Sequence, residues 1–162
     1  MHESMYDFPA GKLPDRDQFP VEIVSHSYRS KLPEIKTPGS AGYDLVTPEP
    51  ATLEHNQPQL ISFGLSLWIR DPALVGMLYI RSSLAKQGVV LLNGAGVIDS
   101  DYQGELACLL QYIGPLNSFN IEAGQRLAQL VLTPFVQRPM VVVEAFSDDT
   151  SRVGGFGSTG NH

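Results

Sequence analysis

Apolar and polar residues alternate with a period of two over several short stretches of the chain. In the stretch 59–70, an isoleucine, phenylalanine or leucine fills every second position from Ile61 to Ile69. Because successive side chains of a strand point to opposite faces, this pattern predicts a strand with one buried face. Further apolar runs predict strands at residues 21–28, 41–46, 75–80, 106–112, 119–121, 127–135 and 140–146.

Glycine and proline separate these runs from one another. The chain holds 15 glycines and 12 prolines, and its one convincing helix candidate is the stretch 83–87, which Gly88 would end. Three prolines exclude a helix or a central strand from residues 47–59, since proline lacks the amide proton that both require. Short strands, frequent turns and almost no helix predict an all-β sandwich or jelly roll.

The composition restricts the possible partners. The 162 residues suit one domain, and their formal net charge of −6 argues against a nucleic-acid surface, which needs a basic face. No apolar run approaches the roughly 20 residues that span a bilayer. The first residues also lack the basic and apolar segments of a signal peptide. We therefore expect a cytoplasmic protein that binds neither nucleic acid nor membranes.

The two ends of the chain differ in composition from its centre. Residues 1–19 are polar and irregular and predict an N-terminal tail or strap, whereas residues 20–146 hold the strands and form the β domain. Residues 147–162 predict a flexible glycine-rich arm. The arm is either a frayed terminus or a segment that orders on a ligand, where its amides would cradle phosphate and Phe156 would stack on a base.

One stretch between two apolar runs is unusually polar. Turn signals at residues 93–94 and 103–104 predict a hairpin there, since glycine and asparagine tolerate the backbone of tight turns. Asp99 and Tyr102 belong to one polar wall of this hairpin. An aspartate at a strand end could be a turn residue, but it could equally polarise a water molecule. A polar set this dense on tightly bent backbone favours a small-molecule pocket.

Three further clusters carry side chains suited to phosphate or metal. Asp44 stands in an apolar strand, and a buried carboxylate needs either a structural ion pair or the water shell of a metal. Arg81, Ser82 and Ser83 lie at a strand-to-helix junction, where they suit phosphate, although either serine could simply cap the helix. The stretch 124–129 offers two amides and an arginine before a strand, or else forms a solvated strand edge.

In chain order, five motifs resemble those of the homotrimeric deoxyuridine triphosphatase (dUTPase) family. They are Ala-Gly-Tyr-Asp-Leu at 41–45, Arg-Ser-Ser-Leu-Ala at 81–85, Gly-Val-Ile-Asp-Ser-Asp-Tyr-Gln-Gly-Glu at 96–105, Gly-Gln-Arg-Leu-Ala-Gln at 124–129 and Gly-Gly-Phe-Gly-Ser-Thr-Gly at 154–160. The third and fifth motifs are long and specific. The resemblance implies a jelly-roll-like distorted β-barrel of the dUTPase (β-clip) type with at most one short helix. It also implies a homotrimer with shared active sites.

The resemblance further implies hydrolysis of dUTP to dUMP and pyrophosphate by water attack at the α-phosphorus, with Mg²⁺ across the triphosphate. Asp99 would orient and activate the water, and Asp44 would reach Mg²⁺ through its water shell. The residues implied for the base and sugar are Asn93, Gly96, Val97, Tyr102 and Phe156. Those implied for the phosphates are Arg81, Ser82, Ser83, Gln129, Arg152, Ser158 and Thr159. The role of Arg126, in the fourth motif, stays open between phosphate binding and structure.

Arg152 stands one residue nearer Phe156 than the family pattern has it, which implies a shorter arm or a different reach to the γ-phosphate. The related dCTP deaminases share the Arg-Ser-Ser-Leu-Ala stretch, but Leu109 fills the place of their catalytic glutamate and cannot move a proton. A dUTP-sensing or partner-binding regulator on the same scaffold is the remaining alternative.

Overall fold

The structure is a computed structural model that describes residues 20–148. Its elements, in chain order, are β1 (Glu22–Ser25), β2 (Tyr43–Val46), β3 (Ala51–Glu54), β4 (Gln59–Trp68), β5 (Leu74–Ile80), α1 (Ser82–Ala85), β6 (Val89–Leu91), β7 (Gly96–Ile98), β8 (Glu105–Tyr112), β9 (Ser118–Ile121) and β10 (Arg126–Pro134). The prediction of an all-β fold with at most one short helix is therefore confirmed. No helix in this part of the chain is long and apolar enough to cross a membrane.

Two four-stranded antiparallel sheets form the body of the fold. One has the strand order β1-β4-β8-β6 and the other β2-β10-β5-β7, while β3 and β9 form a separate two-stranded sheet. Apolar side chains of both larger sheets pack into one core, which includes Leu45, Phe63, Leu78, Leu110 and Leu130. This layering is jelly-roll-like, and over residues 20–148 the sheets do not close into the expected barrel.

One strand prediction is wrong, and one strand lies where the sequence predicted none. Residues 140–146 form no strand, because no strand edge within the described chain pairs with them, and Met140 and Phe146 are almost fully exposed. Conversely, β3 lies in the proline-rich stretch from which a central strand was excluded. Proline is compatible with strands at the edge of a sheet, and β3 has only one partner strand. The prolines therefore exclude a central strand from this stretch but not an edge strand.

The predicted hairpin is interrupted by a crossing between the two sheets. As expected, β6 pairs with β8, with Val89 opposite Tyr112 and Leu91 opposite Leu110. Between them the chain enters the other sheet, where β7 pairs with β5 and Gly96 stands opposite Leu78. The polar stretch is thus not a simple turn but a connection that ties both sheets together.

Cys108 is buried on β8, as the apolar pattern predicted. It is 1% exposed, and its thiol donates to the carbonyl oxygen of Ile61 at 3.7 Å. Burial raises the pKa of the Cys108 thiol from 9.0 to about 12, because the charged thiolate is poorly solvated in the core. The folded state therefore binds the proton more tightly than the unfolded state. This contribution to stability is fully present below pH 9.0 and decreases as the pH rises towards 12.

We expect the native chain to resist alkylation at Cys108, since the thiolate is the reactive form and the site is closed. At about pH 8, iodoacetamide should label the native chain at least roughly tenfold more slowly than the chain in denaturant. Mass spectrometry measures both rates on the same sample, because Cys108 is the single cysteine of the sequence. Equal rates would contradict the buried position.

Candidate active site

Asp44 lies at the centre of a cluster formed by Asp44, Arg81, Arg126 and Gln129, called here the Asp44 cluster. The Asp44 side chain is 3% exposed, and Arg126 Nη1 donates to its Oδ2 at 2.7 Å. Arg81 Nε lies 3.5 Å from Oδ1, and Gln129 Nε2 donates to the same oxygen at 3.2 Å. A buried carboxylate is costly without such partners. Of the two alternatives for Asp44, the structural ion pair is therefore present.

Strand pairing brings the members of this cluster together from distant parts of the chain. Gln129 on β10 stands opposite Asp44 on β2 and opposite Tyr79 on β5, and opposed residues share a face of the sheet. The side chains of Arg81 and Arg126 are 25% and 41% exposed. Two guanidinium groups and one carboxylate give the cluster a net positive charge. It can therefore bind an anion at its open side.

The two serines after Arg81 do not cap the short helix. The carbonyl oxygen of Arg81 accepts hydrogen bonds from the amides of Leu84 and Ala85 at 3.0 and 3.1 Å, and no side chain caps the first turn. Ser82 and Ser83 are both exposed. The capping alternative is thus not observed, and both hydroxyls stand next to Arg81, where a ligand can reach them.

Residues 93–97 form a tight loop that leads into β7. Gly94 has a φ of 73°, and its amide donates to the carbonyl oxygen of Leu91 at 3.0 Å. Gly96 is buried so closely against Leu78 that a methyl group on it would lie 3.0 Å from the Leu78 Cβ. The side chains of Asn93 and Val97 are exposed. The loop therefore offers an amide, backbone polar groups and an apolar side chain to a flat ligand.

Asp99 and Tyr102 lie together in the turn that follows β7. The amide of Tyr102 donates to the carbonyl oxygen of Asp99 at 3.1 Å, and the Asp99 side chain is exposed. The Tyr102 hydroxyl donates to the carbonyl oxygen of Glu105 at 3.1 Å, which holds the ring against the backbone. The residues predicted to activate water and to select the sugar are thus neighbours.

Asp99 and the Asp44 cluster lie towards opposite ends of β5. Ile98, which precedes Asp99, stands opposite Gly76, whereas Arg81 comes directly after the last residue of β5. At about 3.4 Å per residue, the path along the strand from Gly76 to Arg81 measures about 17 Å. A single chain therefore does not bring the Asp99 carboxylate to the arginines of the cluster.

The described residues offer no cage made of protein ligands for a metal. Within residues 20–148, no group of three or more His, Cys, Asp and Glu side chains could hold a metal ion. Both oxygens of Asp44 are already hydrogen-bonded to cationic or amide donors. Mg²⁺ usually keeps several waters and binds one or two carboxylates together with substrate phosphates. The site thus fits Mg²⁺ that arrives on a phosphate ligand and meets the protein through water.

Four predicted site residues belong to the C-terminal arm and lie outside the described residues: Arg152, Phe156, Ser158 and Thr159. Their roles stay predictions, as does the N-terminal tail at residues 1–19. The sequence left the role of Arg126 undecided, and in the structure Arg126 lies at hydrogen-bonding distance from Asp44. The signal that could have found it is the charge balance, because a buried aspartate requires a cation.

Comparison with known protein families relates the sequence to the dUTPases. A family model described as dUTPase matches residues 29–160, a range that contains all five motifs. The deoxyuridine 5'-triphosphate nucleotidohydrolase of Pseudomonas fluorescens is 49% identical over 134 residues, which cover 81% of this chain and 88% of that protein. The protein of the same name from Pseudomonas aeruginosa is 47% identical over the same shares of both chains.

Solved structures resemble the fold over most of its length. A dUTPase of Staphylococcus bacteriophage 80alpha, a mutant solved with dUpNHpp, has a TM-score of 0.80 and 25% identity, covering 87% of this chain and 98% of its own. A mutant dUTPase from phage phi11 of S. aureus, whose description mentions a structural Mg(II) ion, has a TM-score of 0.72 and 23% identity. This second likeness covers 78% of this chain and 98% of the phage chain and concerns the fold alone.

Proposed function

Because this chain belongs to the dUTPase family, we propose that it is an enzyme that hydrolyses dUTP to dUMP and pyrophosphate. The observation that carries the proposal is the Asp44 cluster, in which three of the five motifs meet and leave a net positive charge. Guanidinium groups bind phosphate oxygens through charge-assisted hydrogen bonds, which suits a triphosphate. The relatives from Pseudomonas carry the name of this activity.

We assign the activation of water to Asp99. Its exposed carboxylate at the end of β7 can accept a hydrogen bond from a water molecule and orient that water towards the α-phosphorus. As the new phosphorus–oxygen bond forms, the bond from the α-phosphorus to the bridging oxygen breaks, and its electron pair leaves with pyrophosphate. Asp99 takes the proton that the attacking water loses.

The charge that develops on the leaving pyrophosphate needs stabilisation by fixed donors. Asp44 orients Arg81 through an ion pair, so that this guanidinium group does not have to reorganise during the reaction, and Arg126 pairs with the other oxygen of Asp44. Mg²⁺ on the triphosphate would neutralise further charge, with Asp44 reaching its water shell. The donors that we assign to the phosphates are Arg81, Ser82, Ser83, Gln129 and, from the arm, Arg152, Ser158 and Thr159.

Selection of the base and sugar falls to the loop around β7. Uracil presents O4 as an acceptor and N3–H as a donor, and backbone groups of residues 93–97 with the Asn93 amide would match that pattern. Cytosine reverses the pattern and would leave buried polar groups unpaired, which discriminates strongly. Tyr102 against the deoxyribose would leave no space for a ribose 2′-hydroxyl, and Phe156 would cover the base from the other side.

Two observations support a homotrimer with shared active sites. The first is the distance along β5 between Asp99 and the Asp44 cluster, since a complete site then needs a second copy of the chain. The second is the segment 135–146, in which Met140, Val142 and Phe146 are 99%, 103% and 91% exposed. Exposed apolar side chains grouped along one segment are typical of a protein interface, and we assign this segment to contact with another copy.

The alternatives are less well supported. Leu109 lies on β8 at the place where a deaminase would need its glutamate, and its side chain has no group that transfers a proton. Neither the described residues nor the names of the relatives favour a purely regulatory protein.

The proposal is tested by measuring pyrophosphate release from dUTP, dCTP, dTTP and UTP, each with and without Mg²⁺. We expect release from dUTP to exceed release from the other three nucleotides by at least roughly 100-fold. dCTP would leave polar groups unpaired, the 5-methyl group of dTTP would clash with the loop at residues 93–97, and the 2′-hydroxyl of UTP would clash with Tyr102. Mg²⁺ should raise the rate. Ammonia release from dCTP, or an equal rate with all four nucleotides, would overturn the assignment.

A further inference from the structure

The hydroxyl end of the Tyr102 ring lies directly against Gly104. A methyl group in place of the Gly104 hydrogen would stand 2.6 Å from Cζ and 2.9 Å from Cε2 of Tyr102, closer than real Cβ atoms approach their neighbours. The φ of Gly104 is outside the left-handed region, so its backbone would accept alanine without strain. The ring of Tyr102, and not the backbone, is what excludes a side chain at this position.

A hydrogen bond to the neighbouring strand holds the Tyr102 ring in its position beside Gly104. Its hydroxyl donates to the carbonyl oxygen of Glu105 at 3.1 Å, and Glu105 is paired with Ser66 at the start of β8. The Glu105 carboxylate accepts a hydrogen bond from Ser62, whose Oγ in turn accepts one from the Gly64 amide at 2.7 Å. The acceptor that holds the Tyr102 hydroxyl is thus anchored in the sheet formed by β4 and β8.

We propose that Gly104 is a positioning residue for sugar selection. Because Gly104 has no side chain, the Tyr102 ring can lie in the position where it excludes a ribose 2′-hydroxyl. The proposal rests on the hydrolysis of dUTP proposed above. Any side chain at position 104 would break the contact between Tyr102 and Glu105 or push the ring outward, since the ring is 42% exposed and can move into solvent. A displacement of about 1 Å at a positioned group changes rates by up to about 100-fold. UTP would then be accepted while the rest of the site is unchanged.

The test is a double-mutant cycle with Gly104→Ala and Tyr102→Ala, in which kcat/KM is measured for dUTP and for UTP. Gly104→Ala should lower the dUTP-to-UTP ratio by about 10- to 100-fold, and Tyr102→Ala should lower it at least as much. In the Tyr102→Ala background, adding Gly104→Ala should change the ratio by less than about twofold, because no ring is left to displace. Gly39→Ala is the matched control, since Gly39 is exposed and a methyl group on it meets nothing within 4 Å.

An unchanged ratio in Gly104→Ala, with a lowered ratio in Tyr102→Ala, would overturn the proposal but not the activity. Equal effects of Gly104→Ala with and without the Tyr102 ring would do the same. Thermal unfolding monitored by circular dichroism covers the case of a variant that fails to fold. If Gly104→Ala unfolds and the double variant folds, the ring contact is supported; if both unfold, the backbone needs Gly104 and the proposal fails. A wild-type chain inactive on dUTP would refute the proposed function itself, and with it this inference.

Discussion

Replacing Asp99 with asparagine is expected to lower kcat for dUTP by about 10²- to 10⁴-fold while the nucleotide still binds. Asparagine keeps the shape of the side chain but cannot accept the proton that the attacking water loses. The side chain is exposed and has no hydrogen-bonding partner to lose among the described contacts of the fold, so stability should change little. Pyrophosphate release gives kcat, and titration calorimetry with dUTP in the presence of Mg²⁺ gives Kd.

The matched control for this substitution is Glu54→Gln, which removes one carboxylate charge on β3 and leaves the proposed site intact. The control should keep kcat within about twofold, as expected for a surface change away from the site. Turnover of Asp99→Asn close to that of the control would refute the assignment of Asp99. A loss of nucleotide binding equal to the loss of turnover would instead assign Asp99 to substrate binding.

Removal of residues 150–162 is the second change with a large expected effect. This truncation deletes Phe156 and the three phosphate donors of the arm, and loss of a single such donor typically lowers kcat by about 10²- to 10³-fold. We therefore expect a loss of at least roughly 100-fold in kcat/KM for dUTP. Sedimentation velocity should still show a trimer, because the exposed apolar segment 135–146 is retained. A truncated chain that sediments as a monomer would assign the arm to assembly.

The same two variants test whether the active sites are shared between chains. If the sites are shared, a trimer that contains both the Asp99→Asn chain and the truncated chain has some sites that combine an intact Asp99 with an intact arm from a neighbouring chain. Denaturing the two inactive variants together and refolding the mixture should therefore restore measurable activity that neither variant has alone. No recovery in mixed trimers of verified composition would show that each site takes Asp99 and the arm from the same chain.

Local pattern predicted the strands well where their partners lie within the described residues. The alternation in β4 predicts an apolar face against the core, and the structure confirms that face at Phe63, Leu65 and Leu67. Gly64 and Ser66 on the other face are buried as well. The apolar run at residues 140–146 predicted a strand that is absent from the described chain. An apolar run predicts that a segment is buried, but it does not predict whether the same chain or another molecule buries it.

The candidate site was predictable as a set of residues but not as an arrangement. The buried carboxylate of Asp44 required a cation, and the sequence offered both Arg81 and Arg126. Only the pairing of β10 with β2 and with β5 shows that both lie within reach. The contact between Gly104 and Tyr102 could not be predicted from the sequence pattern either. The sequence suggested a turn glycine there, whereas the structure shows ordinary φ and a glycine required by a neighbouring ring.

The position of Asp99 and the Asp44 cluster at opposite ends of β5 has a consequence for how the activity depends on concentration. If each site is completed by neighbouring copies, a folded but isolated chain carries all the chemical groups and still has no working site. Dilution below the dissociation constant of the assembly would then reduce the turnover per chain without unfolding it, by mass action alone. Substrate that bridges two copies would shift the same equilibrium back, so dUTP itself would favour assembly at low protein concentration.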